Sequence, residues 1–533
     1  MMNTPLLVAP MLERAETYFP KKEVVSRTLD TTHRLTYRDV GRRTRALASA
    51  LEKLGVQRGE RVGSFAWNHH RHLEAYFGVP GMGGVIHMIN IRLPEEHLVH
   101  VINHAEDRVL LIDEDLLPLI ERVKDKLTSA HTFVVMTDKD ELPETSLEPV
   151  YSYEALIRDG DETYEFLQDI DENEPAAMCY TSATTGLPKG VVYSHRGIAL
   201  HTLSLGLADS AGASENDVCM PVVPMFHVNA WGMPFSSTWF GSKQVLPGPN
   251  FTPKLLAELI QDENVTITAG VPTIWLGLLQ VLEQENYDMS SLRAVLCGGS
   301  AAPKGMIEKF EKDYNIPFVH AYGMTETTPL VTLSRLKSYQ QELPEAERMD
   351  IRSTQGMAVP GIDIKAINEN GDINWDGEDM GELLIRGPWI ADEYHSDDRS
   401  GEAFQDGWLH TGDVVTIDEE GSINIVDRTK DLIKSGGEWI SSVELENAIM
   451  AHDAVQEAAV VAVADPKWQE RPVACVVVKD AEKVLISKDD IIDHLRPQFA
   501  KWWLPDDVIF MDDIPKTSVG KFLKRALRDK VKQ

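Results

Sequence analysis

Short apolar runs alternate with amphipathic segments along the first two thirds of the chain. The strand candidates are RVGSFAW from Arg61, GVIHMIN from Gly84, RVLLID from Arg108, TFVVMTD from Thr132, AAMCYTS from Ala176, KQVLPG from Lys243, VTITAGVP from Val265, RAVLCGG from Arg293 and PFVHAYG from Pro317. Between them, segments such as PKLLAELIQDE repeat apolar residues with the period of a helix. This alternation predicts mostly parallel sheets covered by helices, with ligands gathered at the carboxyl ends of the strands.

The segment from Val218 to Ser242 contains no Asp, Glu, Lys or Arg. It is long enough for a membrane span, which needs ~20 residues. Pro221, Pro224 and Pro234 interrupt it. Because proline inside a helix removes a hydrogen bond and clashes with the preceding turn, we predict a buried strand and the wall of a pocket here, with no helix and no integral membrane segment.

Beyond residue 355 the pattern changes to short β segments such as GELLIRG, separated by turn pairs such as Asn370-Gly371. This is typical of a small antiparallel β subdomain. After Arg428 the pattern becomes mixed α+β. The sequence therefore predicts an α/β fold with two domains. Residues 1–428 form a large N-terminal domain of mostly parallel sheets flanked by helices plus the β subdomain, and residues 429–533 form a small mobile α+β domain beyond a hinge at Asp427 to Lys430.

Composition excludes several classes of protein. Lys plus Arg number 52 and Asp plus Glu number 84, a formal net charge of −32, which repels nucleic-acid phosphates and anionic lipid. Cys179, Cys219, Cys297 and Cys475 lie far apart in apolar surroundings, which indicates buried thiols and neither a disulfide framework nor a zinc clip. No basic region precedes the apolar part of the N-terminus, so we expect a cytoplasmic protein without a secretory signal.

The strongest local motif is YTSATTGLPKG, from Tyr180 to Gly190, directly after a predicted strand. Small hydroxyl side chains, backbone N–H groups of a glycine-containing turn and one lysine are groups that cradle a polyphosphate such as ATP. It is not a Walker A loop, because glycine and not Ser or Thr follows Lys189. An ordinary surface turn fits the same residues about as well.

Two weaker motifs lie further along the chain, the first of them again directly after a predicted strand. YGMTET, from Tyr322, combines an aromatic ring for an adenine, a glycine for close backbone approach and Glu326 for Mg²⁺. TGD, from Thr411, offers a carboxylate able to accept both ribose hydroxyls, with Arg428 downstream. Alone, Glu326 fits an ordinary helix start equally well.

In this order and spacing, the motifs resemble the adenylate-forming superfamily of acyl-CoA synthetases, firefly luciferase and peptide-synthetase adenylation domains over essentially the full chain. Further matching segments are PMFH from Pro224, GGSAAP from Gly298, KDLIKSGGE from Lys430 and PKTSVGK from Pro515. VPMFHVNAW, IKSGGEWIS and FAKWWLPD look most like bacterial medium- and long-chain fatty acyl-CoA synthetases. Ala183 departs from the family's common glycine, and we expect the phosphate-binding donors to survive this change.

The resemblance implies a two-step reaction. A substrate carboxylate attacks the α-phosphorus of ATP to give an acyl-adenylate and pyrophosphate, and the thiol of coenzyme A then displaces AMP to give a thioester. Charge builds up in both steps, so positioned cations and donors would supply most of the rate. The implied partners are a carboxylic acid, ATP and coenzyme A, with Mg²⁺ as cofactor and no nucleic acid, and the family is compatible with a homodimer.

The same resemblance implies roles for individual residues. The ATP phosphates would lie against Thr181, Ser182, Thr184, Thr185, Gly186 and Lys189. Mg²⁺ would lie between Thr181 and Glu326. The rest of the nucleotide would lie against Ser300, Ala301, Tyr322, Gly323, Met324 and Thr325, with its ribose on Asp413 and Arg428.

Lys521, within PKTSVGK, is the implied catalytic cation, because its ammonium can bridge the attacking carboxylate and the α-phosphate. The alternative is a solvated basic tail, since seven Lys or Arg stand against one Asp between Ile514 and Gln533. The resemblance further implies that the small domain rotates about Lys430. That rotation would bring to a coenzyme A tunnel the residues Lys434, Gly436, Gly437 and Trp439.

The implied acyl pocket is lined by apolar or small residues, with His227 at its mouth as a candidate catalytic residue. It comprises Val228, Trp231, Gly298 and Gly299. Such walls suit a linear alkyl chain, whose binding gains about 0.8 kcal/mol per buried CH₂. We predict a medium- or long-chain fatty acid, and a short methylthio or branched acid stays open. An α-amino acid is disfavoured, because amino-acid-activating relatives have Asp in place of His227 to pair the ammonium.

Other interpretations remain at this point. Core packing alone explains His227 and Trp231 nearly as well. A luciferase-like monooxygenase would share every nucleotide motif, and a non-catalytic ATP-dependent scaffold is compatible with them. A peptide-synthetase module is disfavoured, because no carrier-protein segment follows Lys521. The run His69-His70-Arg71-His72 lacks a spaced acid or cysteine partner, so it favours a polar helix start over a metal site.

Overall fold

The computed structural model describes residues 1–139, 141–181, 186–436, 438–479, 486–517 and 522–531. One sheet of the large domain contains, in spatial order, β7 (Val150–Ser152), β6 (Thr132–Met136), β5 (Asp107–Asp113), β3 (Arg61–Phe65), β4 (Val85–Met88), β8 (Pro175–Tyr180) and β9 (Gly190–Ser194). Its strands are parallel except where β9 returns antiparallel to β8. The predicted phosphate motif therefore lies in the β8–β9 connection.

A second sheet positions most of the nucleotide motifs. It contains, in spatial order, β16 (Met357–Ala358), β15 (Leu330–Leu333), β14 (Phe318–Gly323), β13 (Ala294–Cys297), β12 (Ile267–Gly270), β10 (Val218–Pro221), β11 (Lys243–Leu246), β1 (Glu23–Arg27) and β2 (Thr32–Thr36). β10, β12, β13 and β14 run parallel. Their carboxyl ends therefore meet at one edge of the sheet, and their amino ends meet at the opposite edge.

Helices cover both sheets of the large domain. They are α1 (Ala9–Tyr18), α2 (Tyr37–Lys53), α3 (His70–Gly81), α4 (Glu95–Ala105), α5 (Leu117–Val123), α6 (Tyr153–Asp159), α7 (His195–Gly206), α8 (Met233–Phe240), α9 (Pro253–Glu263), α10 (Pro272–Gln284), α11 (Lys304–Tyr314), α12 (Glu345–Ser353) and α13 (Ser400–Ala403). One face of the second sheet packs on α9 to α12, and the other faces α7, α8 and the β subdomain. Both faces are apolar, as expected for buried parallel strands.

The β subdomain is antiparallel, as predicted. It contains β18 (Gly371–Asp372), β17 (Asp363–Asn368), β19 (Gly381–Arg386), β21 (Trp408–Ile417) and β20 (Phe404–Gln405), with β22 (Ile423–Arg428) beside β21. The C-terminal sheet contains β24 (Glu438–Ile440), β23 (Ile433–Ser435), β26 (Gln469–Val478) and β25 (Val455–Asp465), with β27 (Asp507–Phe510) beside β26. It packs with α14 (Ser442–Met450), α15 (Lys488–Leu495) and α16 (Lys524–Val531).

The charge-free segment 218–242 corrects one expectation. The predicted strand is present as β10, but the expectation of no helix is wrong, because α8 begins at Met233. Pro234 lies in the first turn of α8, where its missing N–H would have no intrahelical partner. None of the helices in the described ranges is both long and apolar enough to cross a bilayer.

The histidine run begins a helix and the cysteines are buried, both as predicted, although His69 does have an acidic partner in the fold, Asp113. His69 is the N-cap of α3, its side chain accepts from the His72 N–H, and its Nε2 lies 2.7 Å from Asp113. Within the described ranges, no group of three or more His, Cys, Asp or Glu could hold a metal ion. All four cysteines are buried free thiols.

Candidate functional site

A cavity of about 540 Å³ opens at the carboxyl edge of the second sheet. Its walls come from the β8–β9 connection, the turns after β13 and β14, strands β21 and β22, and the helices α14 and α16 of the small domain. This volume is typical of a small-molecule site. Its place outside the carboxyl ends of parallel strands agrees with the prediction from the sequence.

Most of the predicted site residues that the structure describes lie on this cavity. From the nucleotide motifs these are Thr181, Lys189, Ser300, Ala301, Tyr322, Gly323, Met324, Thr325, Glu326, Asp413 and Arg428. From the acyl pocket and hinge they are His227, Val228, Trp231, Gly298, Gly299 and Lys430. Among the described site residues, those that do not line it are Gly186, Lys434, Gly436 and Trp439. Outside the described ranges lie Ser182, Thr184, Thr185, Gly437 and Lys521.

A buried carboxylate organises one wall of the cavity. Asp413 on β21 pairs in register with Arg428 on β22, and the Arg428 Nε lies 2.9 Å from Asp413 Oδ1. The Tyr322 hydroxyl donates to Asp413 Oδ2 at 2.6 Å. The Asp413 carboxylate raises the pKa of the Arg428 guanidinium. Burial, and then Asp413, raise the pKa of the Tyr322 hydroxyl well above its usual value, so the phenol stays a hydrogen-bond donor.

Glu326 is held by a residue that the sequence analysis missed. The Tyr394 hydroxyl donates to Glu326 Oε1 at 2.7 Å, and the Lys189 Nζ lies 3.8 Å from the centroid of the Tyr394 ring. Burial lowers the pKa of the Lys189 ammonium, and the Glu326 carboxylate opposes that shift. Tyr394 therefore connects the predicted phosphate lysine with the predicted metal carboxylate. No spacing or periodicity in the sequence marks it.

A second missed group is Arg399, which lines the cavity beside the β8–β9 connection. Its Nη1 donates to the Leu187 carbonyl at 3.2 Å, and its Nε donates to Asp397 Oδ1 at 2.8 Å. These contacts place a guanidinium next to the described end of the phosphate motif. In the sequence, Arg399 stands in an acidic stretch that belongs to none of the motifs.

The donor set fits Mg²⁺ bound largely through substrate. Glu326 is 5% exposed and, like Thr181, faces the cavity. Mg²⁺ commonly uses one or two carboxylates together with water and substrate phosphates, in place of a cage made by the protein alone.

The part of the cavity that the sequence predicts to bind the acyl group contains a strained turn. Residues Val228 to Gly232 all have positive φ, between 37° and 76°, a conformation that costs roughly 1–2 kcal/mol per L-residue. A Cβ added to Gly298 would lie 3.2 Å from Trp231 Cη2 and 2.8 Å from the Ala321 carbonyl oxygen. Glycine at position 298 therefore allows the Trp231 indole to approach β13 and β14 closely.

The C-terminal segment around Lys521 also reaches the cavity. Thr517 and Phe522, the described residues on either side of 518–521, both line it. Two neighbouring lysines are paired with carboxylates. Lys516 Nζ lies 2.9 Å from Glu457, and Lys524 Nζ lies 2.7 Å from Glu446, with Lys524 and Glu446 both on the cavity wall. The described part of this segment is therefore not simply a solvated basic tail.

Three of the predicted coenzyme A residues, Lys434, Gly436 and Trp439, lie apart from the cavity. Lys434 on β23 pairs with Trp439 on β24. The Lys434 Nζ lies 5.1 Å from the Trp439 ring centroid, and Trp439 is 45% exposed. Their role stays a prediction.

Comparison with known proteins agrees with this geometry. The AMP-binding enzyme family matches residues 12–395, and the AMP-binding enzyme C-terminal domain matches residues 444–521. A long-chain-fatty-acid–CoA ligase of Thermus thermophilus is 47% identical over 100% of this chain and 97% of its own length. A 3-methylmercaptopropionyl-CoA ligase of Ruegeria lacuscaerulensis is 43% identical over 100% of this chain and 98% of its own length. The crystal structure of the anthranilate CoA ligase AuaEII in complex with anthranoyl-AMP has a TM-score of 0.87 at 26% identity, covering 99% of this chain and 98% of that one. The chain belongs to the AMP-binding enzyme family, which confirms the resemblance to adenylate-forming enzymes.

Proposed function

We propose that this chain is an AMP-forming acyl-CoA ligase for medium- or long-chain fatty acids. The observation that carries the proposal is that one cavity joins Asp413 and Glu326 of the predicted nucleotide site to an apolar arm beyond Trp231. This apolar arm is lined by Ala211, Ala213, Ile267, Ala269 and Leu296. A fatty acid has both features that this cavity would recognise, a carboxylate for the nucleotide end and an alkyl chain for the arm.

Several polar groups of the cavity have a place in adenylation. Asp413, oriented by Tyr322 and Arg428, accepts the ribose hydroxyls. Thr181 and Lys189 bind the β- and γ-phosphates, and Glu326 with Thr181 would hold Mg²⁺, which would neutralise phosphate charge. The Lys521 ammonium neutralises the attacking carboxylate and the α-phosphate where charge develops in the transition state.

The second half-reaction uses a different face of the small domain. Rotation about Lys430 withdraws Lys521 and brings Lys434, Gly436 and Trp439 toward the acyl-adenylate. Their exposure outside the cavity supports this proposal, because groups needed only in the second step gain nothing from lying in the cavity during the first. The coenzyme A thiolate then attacks the acyl carbonyl, and AMP leaves.

A second candidate substrate is 3-methylmercaptopropionate. The 43% identical relative carries that substrate in its name, and its identity to this chain is close to that of the long-chain enzyme. The acyl chain of 3-methylmercaptopropionate is short, so much of the apolar arm would have no apolar occupant. The extent of the arm therefore favours the fatty acid.

The acid is identified by AMP formation in the presence of coenzyme A across a panel from acetate to octadecanoate, with 3-methylmercaptopropionate and benzoate. We expect the highest kcat/KM for a medium- or long-chain acid. The highest value for 3-methylmercaptopropionate would replace the substrate assignment. Light from acid, ATP and oxygen without coenzyme A would indicate a monooxygenase instead.

Asp413→Asn is expected to lower kcat/KM for ATP by roughly 10- to 100-fold, the cost of hydrogen bonds to a charged group. Because the ribose hydroxyls lose their ionised acceptor, the preference for ATP over 2′-deoxy-ATP should shrink as well. Asp363→Asn is the matched control, since Asp363 also pairs with an arginine, Arg386, on the same sheet but away from the cavity. An unchanged ratio of ATP to 2′-deoxy-ATP would contradict the ribose assignment.

A further inference from the structure

The apolar arm of the cavity runs along the second sheet, from its carboxyl edge toward its amino edge. Ile267, Ala269 and Val271 line it in alternation, so they share one face of β12 and its extension. At ~3.3 Å per strand residue, this row spans about 13 Å. Leu296 and Gly298 form a parallel row on β13. An extended alkyl chain would therefore lie along the strands, with its methyl end at the amino edge.

The far end of the arm is made by the loop between α7 and β10, residues 207–213, here called the end-wall loop. Ala211 and Ala213 of this loop line the cavity and are 2% and 8% exposed. The loop folds back on the end of α7, because the Ala213 N–H donates to the Leu205 carbonyl at 3.0 Å and the Gly212 N–H donates to the Leu207 carbonyl at 3.1 Å. Each of the two alanines presents no more than a methyl side chain to the end of the arm.

Arg293 fixes the end-wall loop to the amino edge of the sheet. Its Nη1 donates to the Ala211 carbonyl and its Nη2 to the Gly212 carbonyl, both at 3.1 Å. The same guanidinium binds Asp217 through Nε at 2.6 Å and through Nη2 at 2.8 Å. Asp217 is 2% exposed and also accepts from the Thr266 hydroxyl at 2.7 Å. A planar, forked guanidinium is suited to hold several acceptors in a fixed arrangement.

We propose that Arg293 sets the longest alkyl chain that this enzyme accepts, by holding the end-wall loop across the far end of the acyl arm. Ala211 and Ala213 are the specificity-determining residues that leave room for the terminal methyl group. Arg293 is a positioning residue, because it acts through two backbone carbonyls and does not touch the acid. The inference rests on the proposed function and makes it narrower, because the accepted fatty acids then have a sharp upper limit of chain length.

The expected dependence of kcat/KM on acyl chain length follows from the burial of CH₂ groups in the arm. Each CH₂ added within the arm should raise kcat/KM about fourfold. Beyond the length at which the methyl group meets the end-wall loop, the gain should stop and kcat/KM should fall steeply. The length at which this happens is the quantity that variants of the end wall should move.

Ala213→Leu and Ala213→Phe test the wall by filling the end of the arm. We expect at least a tenfold fall in kcat/KM for the best wild-type acid, with butyrate and hexanoate within twofold of wild type and the optimum moved to shorter acids. Ala257→Leu is the matched control, because Ala257 is a fully buried alanine on the opposite face of the same sheet. An optimum that stays in place, or that Ala257→Leu moves equally, would overturn the proposal.

Arg293→Met tests the positioning role, because it keeps an apolar stem and removes the hydrogen bonds to Ala211, Gly212 and Asp217. For acids longer than the wild-type limit, we expect kcat/KM to rise at least fivefold relative to kcat/KM for the best acid. For short acids, we expect kcat/KM to stay unchanged. Arg386→Met is the control, since it removes an arginine–carboxylate pair away from the cavity. Loss of activity by one common factor at every chain length would show a merely structural role for Arg293.

The two levels of the proposal fail in different ways. If the wild-type protein forms AMP with none of the acids, the proposed function fails. If the wild type is active on fatty acids but both variant series keep its chain-length limit, only the end-wall proposal fails. Should Arg293→Met not fold, Arg293→Lys replaces it, because an ammonium can still pair with Asp217 but lacks the fork that also holds the Ala211 and Gly212 carbonyls.

Discussion

Lys521→Ala is expected to reduce acid-dependent pyrophosphate release by at least ~10²- to 10³-fold, the usual cost of removing one group that stabilises transition-state charge. The same variant should still convert a supplied acyl-adenylate and coenzyme A to the thioester at close to the wild-type rate. This split is expected because the carboxylate and the α-phosphate carry the charge that needs the ammonium, and thioester formation does not repeat that step.

The control for this variant is Lys516→Ala. Lys516 lies in the same basic segment, but its Nζ lies 2.9 Å from both Glu457 and Asp513. Its removal should leave both half-reactions within a fewfold of wild type. Equal losses in both half-reactions for Lys521→Ala would contradict its assignment to adenylation.

Glu326→Gln is expected to lower the rate of adenylation by roughly 10- to 100-fold, the range seen when groups that orient a metal site are lost. It should also raise the Mg²⁺ concentration needed for half-maximal rate, because the amide keeps the size of the side chain and removes its charge. Titration of Mg²⁺ at saturating ATP measures this requirement directly.

Tyr394→Phe separates the carboxylate from its support. It removes the 2.7 Å hydrogen bond to Glu326 and keeps the aromatic ring below Lys189. We therefore expect a smaller fall in the rate of adenylation than in Glu326→Gln, of about tenfold. Glu172→Gln, at a carboxylate that pairs with Arg196 away from the cavity, is the control. An unchanged Mg²⁺ requirement in Glu326→Gln would count against the metal assignment.

The fold was largely predictable because the parallel strands are buried on both faces. Continuous apolar runs such as RAVLCGG therefore mark strands almost without ambiguity, and β13 occupies that run in the structure. The segment 218–242 was only half predictable. Its prolines were interpreted as breaking any helix, whereas the effect of a proline depends on its position, and Pro234 lies in the first turn of α8.

The candidate site was predictable where chemistry lies in local motifs and not where it depends on long-range contacts. Asp413 and Glu326 stand in recognisable spacings, and both face the cavity. Tyr394 reaches Glu326 across 68 positions of the chain, and Arg293 reaches Ala211 across 82. Neither contact leaves a pattern in a single sequence, because each depends on how loops from distant elements meet at an edge of the sheet.

Formation of a bond between a carboxylic acid and AMP can be measured by exchange of labelled pyrophosphate into ATP, with MgATP and dodecanoate and without coenzyme A. We expect exchange that depends on the acid and disappears in Lys521→Ala. Folded wild-type protein that exchanges no label with any acid from acetate to octadecanoate would contradict the proposed adenylation.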